Sequence, residues 1–445
     1  MNAQLIREAR VVNEGRVQVA DVLLRDGIIE QVSTQGMGEV RGASELDAKG
    51  RLLLPGVIDD QVHFREPGLT HKDDIASASA AAVAGGITSY MEMPNTEPQA
   101  LTQQLLQDKY DRAAACSVAN YSFYMGVGNT NLDEVLRTDP RTVCGLKAFL
   151  GSSTGDMVIN DEQVLDEVFK KAHMLLAIHA EDDPTIKAQL AKAVAKYGED
   201  IPMSEHPLIR SAEACYRSSS AAVERARHYG TRLHVLHIST ARELELFEPG
   251  PMEGKRITAE ACVHHLWFTD ADYATKGALI KWNPAVKTVQ DRDAVRRAVR
   301  EGRIDVIATD HAPHTLEEKA RPYRQCPSGG PLVQHSLVAM LEMVREGVFT
   351  LEEVVEKMCY APARMFNIER RGYVKEGYQA DLVLVDPDAP WTVSKDNLRY
   401  KCGWSPFEGQ RFHARVLRTW VNGHLVFDGE RVDAAVRGER LLFAR

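Results

Sequence analysis

In the stretch GVIDDQVHFREPG, Gly56 to Gly68, Gln61, His63 and Arg65 alternate along a segment whose apolar flank suits a β-strand. Side chains two residues apart on a strand share a face, so Asp59, Gln61, His63 and Arg65 are expected on one side and Asp60 on the other. A lone strand imidazole is most simply a hydrogen-bonded core residue, so His63 becomes a metal-ligand candidate only if other donors converge on it. Such donors occupy other apolar runs. VCGLKAF sets Lys147 within a buried strand, where an unpaired ammonium is very costly. A salt bridge would resolve that cost. So would reaction with carbon dioxide, which turns the amine into a carbamate, an oxygen donor able to bridge two metals. LLAIHAEDD ends on His179, LHVLHIS on His237, and DVIATDHAPH on Asp310, followed by His311 and His314. Three imidazoles, a lysine and a carboxylate form the N and O donor set of a hydrolytic zinc site, in which one position stays open for water.

The other histidines carry weaker signals. His264 and His265 in ACVHHLWFTD are adjacent, so on a strand they would face opposite sides, and packing or support roles are expected of them. His71, His173, His206, His228, His413 and His424 fall in helical or sandwich-like segments and read as exposed or structural. The seven cysteines contain no C-x-x-C pair and fit neither a disulfide framework nor a thiolate zinc site. They read as reduced, mostly buried residues.

Elements that would hold these donors at one place are legible in the alternation of the chain. Beyond Pro55, short apolar runs alternate with Ala-, Glu- and Arg-rich stretches such as DDIASASAAAVAG and DRDAVRRAVREG. Strand then helix, repeated seven or eight times, predicts a TIM-like (β/α)8 barrel over residues 55–370, whose catalytic groups sit at the C-terminal ends of the strands. A doubly wound open sheet would show the same alternation. It would also call for a G-x-G-x-x-G turn, which neither Gly85-Gly86 nor Gly329-Gly330 supplies. Residues 1–54 and 371–445 instead read as short strands and turns, with a hairpin signal at Asn422-Gly423. Neither end is long enough to bury a good core alone, so the two are expected to form one composite β-sandwich beside the barrel.

A formal net charge of -9 argues against a nucleic-acid surface, and a small-molecule partner is expected. No run approaches the roughly 20 apolar residues of a membrane span, and MNAQLIREARVVNEG lacks the apolar stretch of a signal peptide, so a cytoplasmic location is expected.

These motifs, from LLPGVID and VHFREPG through AGGIT, MPNT, GLKAF, IHAED, HVLHIST, KWNPAVKT and ATDHAPHTLEEK to SPFEGQ and VNGHLVFDG, resemble the cyclic amidohydrolases of the metal-dependent barrel superfamily, and most closely the dihydroorotases. The resemblance covers nearly the whole chain. It implies a zinc centre with one or two ions per chain. One site would be held by the first-strand histidine pair with Asp310 and the other by His179 and His237, with carbamylated Lys147 bridging. It also implies reversible cyclisation of N-carbamoyl-L-aspartate to L-dihydroorotate in pyrimidine synthesis, with Asp310 as base and then acid. Arg65, Asn95 and His314 would hold the substrate carboxylate, and Asn283 would meet the ring amides. A guanidinium fork suits a small carboxylate, whereas the alternative use of Arg65 is a salt bridge to Glu66 or another nearby acid. A homo-oligomer, a dimer by the resemblance, and association with an aspartate transcarbamoylase are further implications.

In one place the chain departs from the pattern: Gln61 stands where the family has its first histidine, and the first metal site is expected to fill less tightly than the second. The GSSTGD and CPSGGPLVQH segments resemble the hydantoinase and allantoinase branch as much as dihydroorotases. Two other functions are therefore weighed: another cyclic amide hydrolase, or an inactive dihydroorotase-like subunit that scaffolds a partner enzyme.

Overall fold

The computed structural model describes residues 3–151, 157–159 and 161–445. Eight parallel strands follow one another around a barrel: Val57–Val62, Ile87–Glu92, Asn120–Phe123, Leu146–Phe149, Leu176–His179, Leu233–Val235, Ile257–Cys262 and Val306–Ala308. The third strand reaches both neighbours by continuing into Met125–Gly126, which pairs with Leu146–Lys147. The ring closes where His63 donates its backbone N–H to His311 O at 2.7 Å. Nearly every residue of these strands is buried, as expected of a parallel sheet covered on both faces.

Helices return the chain between strands, and their boundaries follow from short polar residues at the caps. Ile75–Ala84 starts at Asp74, whose carboxylate accepts from Ser77 N while Ser77 answers the Asp74 backbone. Val289–Glu301 starts at Thr288, buries Ala294, Val295, Ala298 and Val299 on one stripe, and ends at Gly302 in the left-handed conformation. A Cβ on Gly302 would lie 2.3 Å from Gly250 O, so glycine is required there on two counts.

The barrel floor is apolar. Ile58, Met91, Leu175, Leu236 and Val306 meet Phe366 and Ile368, and Leu441 and Phe443 of the C-terminal segment pack into the same cluster. Above this floor the strands turn polar, which places the candidate donors in the upper half of the barrel.

Strands from both termini share one sheet. Ala3–Asn13 pairs with Arg16–Arg25 on one side and with Ala43–Asp47 and Leu52–Pro55 on the other, while Leu382–Asp386 joins Leu52–Pro55 and carries Arg415–Val421 and His424–Phe427 outward. The expected α/β architecture of a barrel beside a composite β unit is present. At the Asn422-Gly423 turn both residues have positive φ, 50° and 75°, as a two-residue hairpin requires. Residues 395–412 and 436–445 pack on the barrel, so the two units are joined by more than their chain crossings. No helix among the described residues is long and apolar enough to cross a membrane.

A buried polar node fastens the units together. Asp381 accepts from Arg371 Nη1 and from Asn422 N (2.8 Å), and Asn120 Oδ1 on the third barrel strand accepts from Asn422 Nδ2 (2.9 Å) and Glu439 N (2.9 Å). The Arg371 and Asp381 side chains are only 6% and 3% exposed. Asp381→Ala leaves Arg371 with Glu439 Oε2 (3.1 Å) as its remaining acid, so the substitution is expected to cost about 1.5–3 kcal/mol in urea unfolding, the range of a charge-assisted hydrogen bond. A loss below about 1 kcal/mol would show that Glu439 suffices to hold Arg371.

Candidate metal centre and active site

Three residues at strand ends have left-handed backbone conformations without being glycine: Arg65 (φ 68°), His237 (φ 42°) and Asp310 (φ 48°). Each such residue costs on the order of 1–3 kcal/mol, and such strain collects where side chains must be re-aimed for function. All three line one cavity at the C-terminal end of the barrel, together with Gln61, His63, Asn95, Lys147, His179 and Asn283. The residues singled out from different strands therefore meet, with His314 the exception.

The first strand reaches this cavity by a different route from simple alternation. Its regular pairing is interrupted between Asp59 and Val62, and the strand ends at Val62. Asp59 turns to the eighth strand, where Thr309 Oγ1 donates to it at 2.7 Å, and does not share the cavity with Gln61 and His63. Arg65 arrives through its positive φ.

Within the cavity, Asp310 Oδ1 lies 3.2 Å from His63 Nε2 and accepts from Gln61 Nε2 at 3.2 Å. A carboxylate only accepts, so the nitrogen of the Gln61 amide faces it and the carbonyl turns to Cys262, whose thiol lies 3.7 Å away. His63 Nδ1 meets Asn95 Oδ1 at 2.8 Å, an oxygen that holds the proton on Nδ1 and leaves the Nε2 lone pair toward Asp310. Across the cavity, His179 Nδ1 and His237 Nε2 are 3.0 Å apart.

Burial sets the protonation states. It holds His63, His179 and His237 below the ordinary imidazole range, so all three are neutral with lone pairs available. It pushes Lys147 down from 10.5 to about 7, against the pull of Glu260 and Asp310, and Asp310 up to about 7. Lys147 Nζ is buried without a hydrogen-bond partner, and His179 Nε2 lies 3.2 Å from Glu181 Oε2, which turns His179 Nδ1 toward His237 Nε2. Neutral imidazoles and an unpartnered lysine nitrogen beside a carboxylate are what a bound divalent cation would satisfy, so the residues fit a metal.

Arg65 is 2% exposed, donates from Nε to Pro313 O at 3.0 Å, and has no carboxylate of the described residues within ion-pair distance. Glu66, the nearby acid, instead takes Arg112 Nη1 (3.3 Å) and the Ile75 backbone N–H (3.0 Å). The guanidinium therefore faces the cavity without a direct ion-pair partner, and Asp310, Glu92, Asp73 and Glu318 offset its charge only from a distance.

Other expectations change. His264 and His265 do not lie on opposite faces of a strand: both belong to the short helix Val263–Trp267 and both are buried. His264 stacks on Trp282, a cavity wall, at 4.3 Å, and His265 Nε2 meets Pro284 O at 3.1 Å. Their role is packing support, and it comes from a helix turn. His311 points away from the cavity to Asp73, and His206, fully buried, bonds Tyr323 OH and Trp282 O. His314 lies behind Arg65 and does not line the cavity. Of the GSSTGD segment, Ser152–Asp156 lie outside the described residues.

One cluster was missed by the sequence reasoning. Asp60, His234 and Glu260 meet beneath the cavity, with His234 Nε2 3.3 Å from Asp60 Oδ2 and 3.9 Å from Glu260 Oε2. Despite burial, the two nearby acids push His234 up to about 9, so an imidazolium sits beside Asp60 and Glu260, and burial raises Glu260 itself to about 7. Glu260 Oε1 also accepts the backbone N–H of His237 at 2.9 Å. The signal in the sequence is a second histidine inside the apolar run RLHVLHIST, three residues before His237, so strand alternation would turn only one of the pair inward. The positive φ at His237 lifts that restriction.

The barrel, the strand-end donors and their protonation define a class. A model of the amidohydrolase family matches residues 52–426, and the chain belongs to that family of metal-dependent hydrolases of cyclic amides. Several curated dihydroorotases match over nearly the full length; that of Halobacterium salinarum is 36% identical, covering 97% of this chain and 98% of the relative. An allantoinase from Solibacter usitatus is 31% identical over 99% and 97% of the two chains. Among solved structures, L-hydantoinase from Arthrobacter aurescens superposes with a TM-score of 0.92 at 26% identity, covering 97% of this chain and 98% of its own.

Proposed function

We propose that this amidohydrolase is a dihydroorotase, interconverting N-carbamoyl-L-aspartate and L-dihydroorotate. The observation that carries the substrate choice is Arg65, a buried guanidinium that lines the cavity and lacks a carboxylate partner. A buried cation without a direct ion-pair partner favours an anion that reaches it, and a planar fork matches a carboxylate bidentately. Dihydroorotate carries such a carboxylate on its ring, whereas dihydrouracil and allantoin do not.

In this reading His179, His237 and Lys147, the last as a carbamate, hold one zinc ion, and His63 with Asp310 supports a second. The low basicity of Lys147 leaves it partly as the free amine that adds carbon dioxide. Bound there, a divalent cation would polarise the ring carbonyl and make water nucleophilic near neutral pH. The remaining steps fall to the chain. Asp310, raised to about 7 by burial, takes a proton from the attacking water on its carboxylate and returns it to the departing ring nitrogen. Arg65 and Asn95 hold the substrate carboxylate, Asn283 Oδ1, buried without a hydrogen-bond partner, accepts from a ring N–H, and Trp282 and Phe149 wall off water.

Gln61 sets the metal count. Its amide nitrogen faces Asp310 and its carbonyl faces Cys262, whose one thiol proton has a nearer acceptor in Glu260 Oε1 at 3.2 Å, so Gln61 offers the first site a neutral amide oxygen, a weaker ligand than the imidazole it replaces. The purified protein is expected to retain one ion per chain after mild chelation, and Gln61→His to retain two. Two firmly held ions in the unaltered protein would overturn this assignment.

Protein supplied with zinc and bicarbonate is expected to form dihydroorotate from N-carbamoyl-L-aspartate with saturation kinetics. No turnover, together with stable binding to an aspartate transcarbamoylase, would favour the scaffold reading instead.

A further inference from the structure

The first two barrel strands part sooner than their pairing calls for. Val62 lies opposite Glu92, and Met93 donates its backbone N–H to Val62 O at 2.9 Å. One step further along a parallel ladder, Phe64 N–H would donate to Met93 O. Both groups are taken elsewhere. Met93 O accepts from Lys109 Nζ at 2.9 Å, and Phe64 N–H reaches the Glu92 side chain, Oε1, at 3.1 Å. Lys109 Nζ and Glu92 Oε2 bridge the gap as an ion pair at 2.5 Å, with both side chains 1% exposed.

Helix Gln103–Cys116 buries Leu106, Lys109, Tyr110 and Ala113, a core-facing stripe at helical spacing with a cation inside it. The Lys109 ammonium also lies 5.1 Å from the centre of the Phe123 ring. A buried ion pair adds little to stability, since apolar residues of similar volume often do as well or better. Apolar residues could not, however, keep Phe64 N–H and Met93 O satisfied while holding them apart. The separation falls where the cavity opens. Phe64 sits between His63 and Arg65, the latter at φ 68°, and Met93 leads into Asn95, whose Oδ1 meets His63 Nδ1 at 2.8 Å. His63, Arg65 and Asn95 all line the cavity.

We propose that Glu92 and Lys109 are positioning residues: their ion pair stands in for one bond between the first two strands, and the opening it holds aims His63, Arg65 and Asn95 into the cavity. The consequence for turnover rests on the dihydroorotase reading; the separation of the strand ends does not. In the sequence the pair is a carboxylate closing the strand ITSYME and a lysine on the buried stripe of QQLLQDKYDRAAAC.

Two double substitutions test this. Glu92→Leu with Lys109→Met leaves Phe64 N–H and Met93 O no partner but each other, so a crystal structure of this apolar variant should show that bond formed and the strand ends drawn together. Its kcat/KM for dihydroorotate should fall about 10²-fold, the cost of roughly 1 Å of misplacement. In a zinc titration its weaker affinity, at the site of His63, should fall about tenfold while the tighter one is unchanged. Glu92→Gln with Lys109→Met should stay within about tenfold of the unaltered kcat/KM, because an amide can accept from Phe64 N–H and donate toward Met93 O without any charge. An apolar variant whose strand ends stay apart, or whose kcat/KM falls less than about tenfold, overturns the proposal. So does an equal loss of both zinc affinities, which would make the pair a general tether. Should the apolar variant fail to fold, the amide variant decides alone, and a loss there above about tenfold overturns the proposal. Unaltered protein that acts on dihydrouracil and not on dihydroorotate would sink the substrate reading, while the strand ends of the apolar variant would still decide the positioning role.

Discussion

Replacing Lys147 with methionine is expected to lower dihydroorotate turnover by at least about 10³-fold, the equivalent of about 4 kcal/mol of transition-state stabilisation. The same substitution should leave the metal-free protein at least as stable as before. Both effects come from one placement. Lys147 is 1% exposed, its ammonium lies 4.5 Å over the Phe149 ring, and no hydrogen-bond partner reaches it. Burial penalises the charge, and its folded value of about 7 lies well below the unfolded one. Between about pH 7 and pH 10.5 the unfolded chain therefore binds more protons at this site, and stability rises with pH across that window. Lys147→Met should flatten that rise, since an apolar side chain of similar volume carries no desolvation cost. Measuring kcat, bound zinc and the pH dependence of urea unfolding on the same preparations separates chemistry from folding. A variant that is less stable at pH 7 and loses activity only in proportion would show Lys147 to be a paired structural cation.

The second large effect is expected at Arg65. Arg65→Met should reduce kcat/KM for dihydroorotate by about 10²–10³-fold, the range for losing one partner of a desolvated charge pair. Turnover of dihydrouracil, with no carboxylate to place, should change far less. Arg65→Lys should recover only part of the loss. Its ammonium is a point charge on a flexible stem, and it cannot donate to Pro313 O while also forking to a carboxylate. Equal losses on both substrates would mean that Arg65 holds the Pro313 backbone and no ligand.

The barrel was legible because its strands are short apolar runs punctuated by capped helices, and because polar residues at strand ends are conspicuous in such runs. His63, Lys147, His179, His237 and Asp310 stood out as polar breaks in apolar segments, and they converge. What alternation could not supply was the direction of side chains once a strand breaks. Asp59 and Gln61 were placed together but part company at the irregularity before Val62. Asp60, assigned merely to the opposite face, joins His234 and Glu260 as a charge cluster. ACVHHL reads as the end of a strand but turns into a helix at Val263, which brings both imidazoles into the interior. His314 lies in a loop, where burial depends on what the distant Ser328 segment covers. No local pattern reports that.

The most direct test of the account is kcat/KM for L-dihydroorotate beside dihydrouracil and allantoin, on one preparation treated with zinc and bicarbonate. A cavity built around a guanidinium without a direct ion-pair partner should favour the ring that supplies one, so dihydroorotate is expected to lead by at least about 10³-fold. A kcat/KM for either neutral ring equal to or above that for dihydroorotate would contradict it.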